Sequence, residues 1–449
     1  MREDFLHYLW RFGRFDLHDL RTTEGLPISI QSFGNYNKLN AGPDFQEARL
    51  RLGKMNWAGQ VEMHLKSSDW FAHGHQDDPA YENVILHVVL EEDQPAIDRG
   101  GRRIPCLELA RRIPAGLIRS YWRLMHNAYW IPCQNQFSQL EDLKLRAWLD
   151  RMTIERLEKR THAIQERLMA NRNDWEATFY ERLSRSLGGR INDEAMEMLA
   201  RSVPLKIALR HKNSLVQLEA LFFGQSGLLQ EASGSDLYVK KLKAEYHLLA
   251  HKYQLTPLLP AAWRYLRLRP NNFPTIRIAQ LAMIIHKSGQ LFSKILAAKN
   301  AQELVHTFDI KLSHYWRDHY RFDKAGKGGP KKLGVATLRS VFINAIAPIY
   351  YLYGQVQNQE KYVEKAIQLL EELPAEKNAE IKKWVELGAE PSNAADTQAL
   401  LQLKATYCDK GRCLDCAIGC HLLSRPAPGV RPHLSLNEEA HIYQLAKTA

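Results

Sequence analysis

Between Gly42 and Val89 the chain gathers Asp44, Glu47, Glu62, His64, Lys66, Asp69, His73, His75, Asp77, Asp78 and His87. Carboxylates and imidazoles are the groups that hold divalent metals and move protons. The pair Asp44 and Glu62 would offer oxygen ligands to Mg²⁺ or Mn²⁺. A metal there would clamp a phosphate as a Lewis acid, with Lys66 or His64 orienting or deprotonating the attacking water. A second group, His73, His75 and Asp77, would suit zinc or manganese. The alternative for either histidine is a cap on a polar link. His87 sits in an apolar run and reads as a satisfied core histidine.

These residues need strands to bring them together. Residues 27–33 alternate as a half-buried strand, and 48–52 and 60–66 follow with turn residues between them. Along 60–66 Val61, Met63 and Leu65 face one way, whereas Glu62, His64 and Lys66 face the other. Residues 67–83 are polar, with room for one helical turn. Residues 84–89 are almost wholly apolar, as in a strand covered on both faces. A hairpin over 97–105 leads to Cys106–Leu109. Ahead of the strands, residues 2–12 place Phe5, Leu6, Leu9 and Trp10 at helical spacing, with Glu3 and Asp4 in the first turn.

The order helix, strand, strand opened by Pro43-Asp44, strand carrying Glu62-Met63-His64, short link and buried strand is similar to the PD-(D/E)XK restriction-endonuclease-like core. That resemblance implies a nuclease site at Asp44 and Glu62. His64 stands where the family pattern has lysine, and Lys66 lies two further along the same face. The segment His73-Gly-His75-Gln-Asp77 is also similar to the His-x-His-x-Asp-His motif of metallo-β-lactamase-like hydrolases, with Asp78 where that motif closes on histidine.

Beyond residue 114 the periodicity becomes helical, over 143–169, 173–187, 193–199, 206–223, 236–249, 276–296, 301–312, 338–352 and 360–373. The basic loop 323–334, with Lys324, Lys327, Lys331 and Lys332, lacks phosphate-loop spacing and reads as solvated. Arg269–Arg277 reads as an anchored, capped turn.

Near the C-terminus, Cys408, Cys413, Cys416 and Cys420 crowd together. A helix over 413–420 would place three of them on one face, with Cys408 closing the set. Thiolates suit zinc, or second an iron–sulfur cluster. A buried cysteine-rich face is the alternative.

The 449 residues imply two or three domains. The expected division is 1–125, an α+β nuclease-like core with a mixed sheet; 126–400, all-α; and 401–449, a cysteine-rich segment and tail. The formal charge of +11 suits a polyanion such as DNA or RNA. No secretory leader is visible at Met-Arg-Glu-Asp, and the apolar run 341–353 is interrupted by Asn344 and Pro348. The expectation is a cytoplasmic protein without a membrane partner.

Gly42-Pro-Asp-Phe45, Gly59-Gln-Val-Glu-Met-His64, Ser68-Asp-Trp70, His73-Gly-His75, Arg269-Pro-x-Asn-Phe-Pro-Thr-Ile-Arg277 and Cys413-Leu-x-Cys-x-Ile-Gly419 resemble a bacterial family catalogued as domain of unknown function 2851. The likeness spans essentially the whole chain and implies no substrate. The leading functional expectation is a divalent-metal-dependent nuclease or phosphodiesterase. The alternatives are a non-catalytic nucleic-acid-binding scaffold and a small-molecule metallohydrolase using His73, His75 and Asp77.

Overall fold

The computed structural model describes residues 1–425 other than Leu39, Ser235, Lys327 and Pro330. The expected tail beyond Arg425, and Lys327 of the basic loop, lie outside the described residues. The chain divides into two compact units. One comprises Met1–Leu145 with the described chain from Lys404, and the other is Arg146–Leu403. The C-terminal cysteine segment therefore does not stand as a third body. Its Cys413, Leu414 and Leu423 are buried in the same apolar core as Phe5, Phe45, Val61 and Val88. Burying that short apolar segment in an existing core is cheaper than building a new one around it.

The first unit is a helix packed on a mixed sheet. Helix α1 (Glu3–Arg11) has Glu3 and Asp4 in its first turn and buries Phe5, Leu6, Leu9 and Trp10. The main strands are β1 (Ile28–Ser32), β2 (Phe45–Leu52), β3 (Met55–Lys66), β4 (Val84–Glu91) and β5 (Cys106–Glu108). They lie side by side in that order. The first two pairings are antiparallel, and β3–β4 and β4–β5 are parallel. The two-residue turn Gly53-Lys54 closes the β2–β3 hairpin, with Gly53 at φ +59°. Strand β3 starts at Met55, earlier than residue 60, because it pairs with β2 from the hairpin turn onward; this arm is largely exposed, so its sequence lacks apolar alternation.

Two irregularities flank the chemistry. The β2–β3 register slips between Phe45 and Ala48, where Glu47 adopts φ +60°. A bulge with a non-glycine residue in the left-handed region is a feature found beside functional sites. The β3–β4 register slips at Gln60–Val61. There a Cβ on Gly59 would fall 2.5 Å from Ile85 Cγ2 and 2.6 Å from the Asn83 carbonyl. Gly59→Ala is therefore expected to lower stability by about 1–3 kcal/mol, read as a lower denaturant midpoint. An unchanged midpoint would mean that β4 can retreat without loss.

The second unit is built mainly of helices around one large apolar core, but it is not all-α as expected: His319–Arg321 and Lys324–Ala325 pair as a small antiparallel sheet. Two stretches expected as single helices are each divided. Residues 206–223 split into Leu205–Arg210 and Leu215–Gln225, because Ser214 caps the second helix through the Gln217 amide. Residues 276–296 split around Gly289 into Pro274–Lys287 and Leu291–Ala297.

The apolar run near 341–353 belongs to one helical stretch, 335–356, long and apolar enough to cross a membrane. Its apolar window is 67% buried inside the protein. Its π turn Phe342–Ile346 precedes Pro348, which lacks the amide that would close a regular turn. Arg160 and Arg182 donate to the Ile343 and Asn344 carbonyls at 3.0 and 2.9 Å.

The turn at 269–277 is anchored as expected: the buried Arg277 donates to Asn272, Gln280 and Thr337, each at 2.8 Å. The basic loop is less solvated than its composition suggests. Lys331 is buried with its ammonium 4.3 Å from the Tyr320 ring centroid, and Lys332 pairs with Asp309.

Candidate functional site

Asp44 and Glu62 meet where β2 and β3 enter their pairing. Beyond the Phe45–Val61 pair the ladder continues through side chains. The Asp44 amide donates to Glu62 Oε2 at 3.0 Å, and the Met63 amide donates to Asp44 Oδ2 at 3.0 Å. Both carboxylates are thus fixed by backbone, and Glu62 Oε1 is left directed at imidazoles. It lies 3.3 Å from His75 Nε2 and 3.7 Å from His64 Nε2.

The histidines come from three places. His64 follows Glu62 by two on β3 and shares its face, as the strand parity predicts. His87 stands opposite Glu62 in the parallel β3–β4 register. His73 and His75 come from the crossover, where α2 (Asp69–Ala72) ends at His73. Gly74 takes φ +74°, which glycine adopts without strain. A short 3₁₀ turn then opens at His75. Neither histidine caps the link by a side-chain bond.

The result is a chain of imidazoles. His64 Nδ1 is 2.8 Å from His87 Nε2, and His64 Nε2 is 3.1 Å from His73 Nδ1. Among the described residues, His64, His73 and His75 form the group of three metal-ligating side chains whose donor atoms lie within 4.8 Å of one another. Trp70, fully buried, and Tyr81, stacked on His75 at 3.8 Å, wall the cluster. The base is closed, with Glu62 5% and His64 1% exposed, whereas His73 is exposed and leaves a way in.

Burial sets the charge states. It pushes the Glu62 carboxyl up to about 8, with the Asp44 charge adding to it. Burial and the neighbouring His87 bring His64 down to about 2, and burial brings His87 down to about 3. His75 is also lowered by burial. A neutral His64 has one N–H for two imidazole neighbours, so it donates to one and accepts from the other.

On the far side of Asp44, His7 of α1 places Nε2 3.1 Å from Asp44 Oδ2. Burial works against its charge, but the Asp44 bond and nearby acids outweigh it and raise its pKa. Glu3, one helical turn earlier, is raised to about 7 by burial and then by Asp44.

Two of the candidate residues are not gathered in. Lys66 is exposed, and its amide rather than its ammonium is engaged, with Asp69. Asp77 is exposed and bonded by Gln76, while Asp78 caps the following turn at Ala80. Two residues enter that sequence reasoning did not assign. His87 is buried as expected, yet it belongs to the imidazole chain rather than to an isolated core position. His7 is the other. Its i,i+4 spacing from Glu3 was a usable signal, but only the packing of α1 on the sheet connects it to Asp44.

The donor set fits a transition-metal ion. Ligand atoms about 3.3 Å apart are expected around tetrahedral zinc, given metal–nitrogen bonds of about 2.0–2.1 Å. The separations here are 3.1, 3.3 and 3.7 Å. His75 Nε2 is buried without a hydrogen-bond partner. His64 Nδ1 can donate to His87, the kind of outer bond that fixes a ligating imidazole. Three imidazoles favour zinc or manganese over magnesium.

The family described as "Protein of unknown function (DUF2851)" matches residues 3–379. No curated protein matches the chain. No solved structure matches it.

Proposed function

For a chain that belongs to the family "Protein of unknown function (DUF2851)", we propose a divalent-metal-dependent hydrolase that cleaves phosphodiester bonds in nucleic acid. The observation that carries the reading is the meeting of Asp44 and Glu62 with His64, His73 and His75 in one half-open site. The reading also draws on element order: α1, β1, β2 entered through Pro43-Asp44, β3 with Glu62-Met63-His64, the short helical crossover and the buried β4 follow one another in a mixed sheet, an order we take as similar to that of restriction-endonuclease-like cores. The net charge of +11 favours a polyanionic substrate.

Glu62, His64, His73 and His75 would hold the ion, with zinc or manganese preferred. When bound, it supplies Lewis acidity and counter-charge toward a phosphoryl oxygen. Asp44 positions Glu62 through its amide and His7 through its carboxylate. His7, with its raised pKa, holds the Asp44 carboxylate in place from Nε2. His87 holds the orientation of the His64 ring. Lys66, exposed and turned to no partner in the cluster, has no assigned step.

The test is cleavage of DNA and RNA by protein loaded with Mn²⁺ or Zn²⁺, alongside Asp44→Ala. Wild-type cleavage that falls at least about 10²-fold in the variant is expected. Salt-sensitive binding without cleavage would instead identify a scaffold. The imidazole-rich donor set favours one second reading, a small-molecule metallohydrolase at the same residues. Turnover of simple phosphodiesters or esters, with nucleic acid inert, would replace the nuclease reading with that one.

A further inference from the structure

A fifth cysteine, Cys133, packs against the apolar core that contains Cys413 of the C-terminal segment. Cys133 follows helix α3 (Ala115–Met125) by eight residues and opens the 3₁₀ turn Gln134–Gln139. The segment from Lys404 is held against this region at several points. The Lys404 ammonium lies 5.1 Å from the Trp130 ring centroid. The C-terminal helix Ala417–Ser424 packs on α3, and His421 Nδ1 lies 3.5 Å from Lys144 Nζ. Arg425 donates to the Gln139 carbonyl and pairs with Glu141.

Within this frame the sulfurs sort themselves. All are free thiols. Cys413 and Cys416 are each 7% exposed, and Cys133 and Cys408 are half-buried. A turn bond from the Cys416 amide to the Cys413 carbonyl sets their spacing. Gly419 lets the helix approach, since a Cβ there would fall 2.1 Å from the Cys413 carbonyl. Cys420 is engaged elsewhere: its thiol donates to the Leu414 carbonyl at 3.0 Å.

We infer that Cys133, Cys408, Cys413 and Cys416 form a four-thiolate site for an iron–sulfur cluster, which fastens the C-terminal segment to the N-terminal unit. Cys420 is not a ligand. Packing is consistent with this grouping: Cys413 lies in the apolar core of this unit and Cys133 packs against it. Cys420 packs there too, but its thiol is turned to the Leu414 carbonyl.

The cluster type follows from spacing. Zinc would draw its sulfurs to about 3.8 Å from one another, given zinc–sulfur bonds of about 2.3 Å. No three cysteine sulfurs among the described residues lie within 4.8 Å of one another. An iron–sulfur cluster places each cysteine on its own iron or shares irons across a wider frame, so it accepts the wider set.

The experiment is purification of the full chain under nitrogen, with iron, acid-labile sulfide and zinc measured in wild type, Cys133→Ser and Cys420→Ser. Iron and sulfide are expected in wild type and Cys420→Ser, with a loss of at least about tenfold in Cys133→Ser. Native alkylation of wild type provides a readout that needs no variant to fold. Cys133 and Cys408 are expected to resist alkylation until iron is removed, then to react. Full cluster content in Cys133→Ser, loss confined to Cys420→Ser, zinc in place of iron, or alkylation of Cys133 at full iron content would each overturn the assignment.

Discussion

Glu62→Gln is expected to weaken manganese or zinc binding at the N-terminal site by at least about 10²-fold, since outer-shell changes alone cost 10–100-fold. Metal-dependent cleavage should fall with it. The substitution suits the purpose because glutamine resembles the protonated carboxyl that burial favours here. Its side-chain oxygen can still accept the Asp44 amide, now made by Glu62 Oε2 at 3.0 Å. Folding should therefore survive, and a loss of binding would report on ligation.

The pH dependence gives a second handle on the same residue. Burial and then the Asp44 charge push Glu62 up to about 8. Below that pH a metal must displace its proton, so affinity should rise about tenfold per pH unit between pH 6 and 7.5. In Glu62→Gln that slope should be shallower by one proton. Titration calorimetry across this range measures both effects. Equal affinity and slope in the two proteins would remove Glu62 from the ligand set.

Acid should destabilise the metal-free protein through its buried imidazoles. His64 is brought down to about 2 and His87 to about 3, chiefly by burial. For a depressed pKa the stabilising contribution is fully present above the unfolded value, near 6.5. It is lost as pH falls toward the folded value. Glu62 acts in the opposite sense: its raised pKa contributes stability at low pH that is lost as pH rises through about 8. A difference measurement separates these effects. Between pH 6.5 and pH 5, wild type is expected to lose about 2 kcal/mol more than His87→Leu, the amount set by one neutral imidazole over that interval. Leucine suits the site, which lies between Leu86 and Val88 on a strand buried on both faces. Urea titrations with chelator at the two pH values measure it. Parallel losses would mean that His87 takes up a proton within the native fold.

Much of the N-terminal unit was legible in the chain. The spacing of Phe5, Leu6, Leu9 and Trp10 specifies α1 because an amphipathic stripe has one way to bury itself. The period-two parity of Glu62 and His64 places both on one face, and both lie in the cluster. The same parity also carries Lys66, yet Lys66 falls at the exposed end of β3, and parity says nothing about depth. The left-handed Gly74 could be anticipated from its type. What it does with His73 and His75 depended on the crossover that β3 and β4 require to run parallel.

The sequence by itself determined the local elements, the clustering of metal-binding residue types and the family to which the chain belongs, since periodicity and motif spacing are short-range properties. Only the tertiary structure decided which of those residues form a site. The β3–β4 register sets His87 opposite Glu62, and the seating of α1 brings His7 to Asp44. The return of the chain at Lys404 brings the C-terminal cysteines to Cys133, far away along the chain. Each of these is a long-range pairing, fixed by burial of apolar faces against one another and not by anything adjacent in the chain.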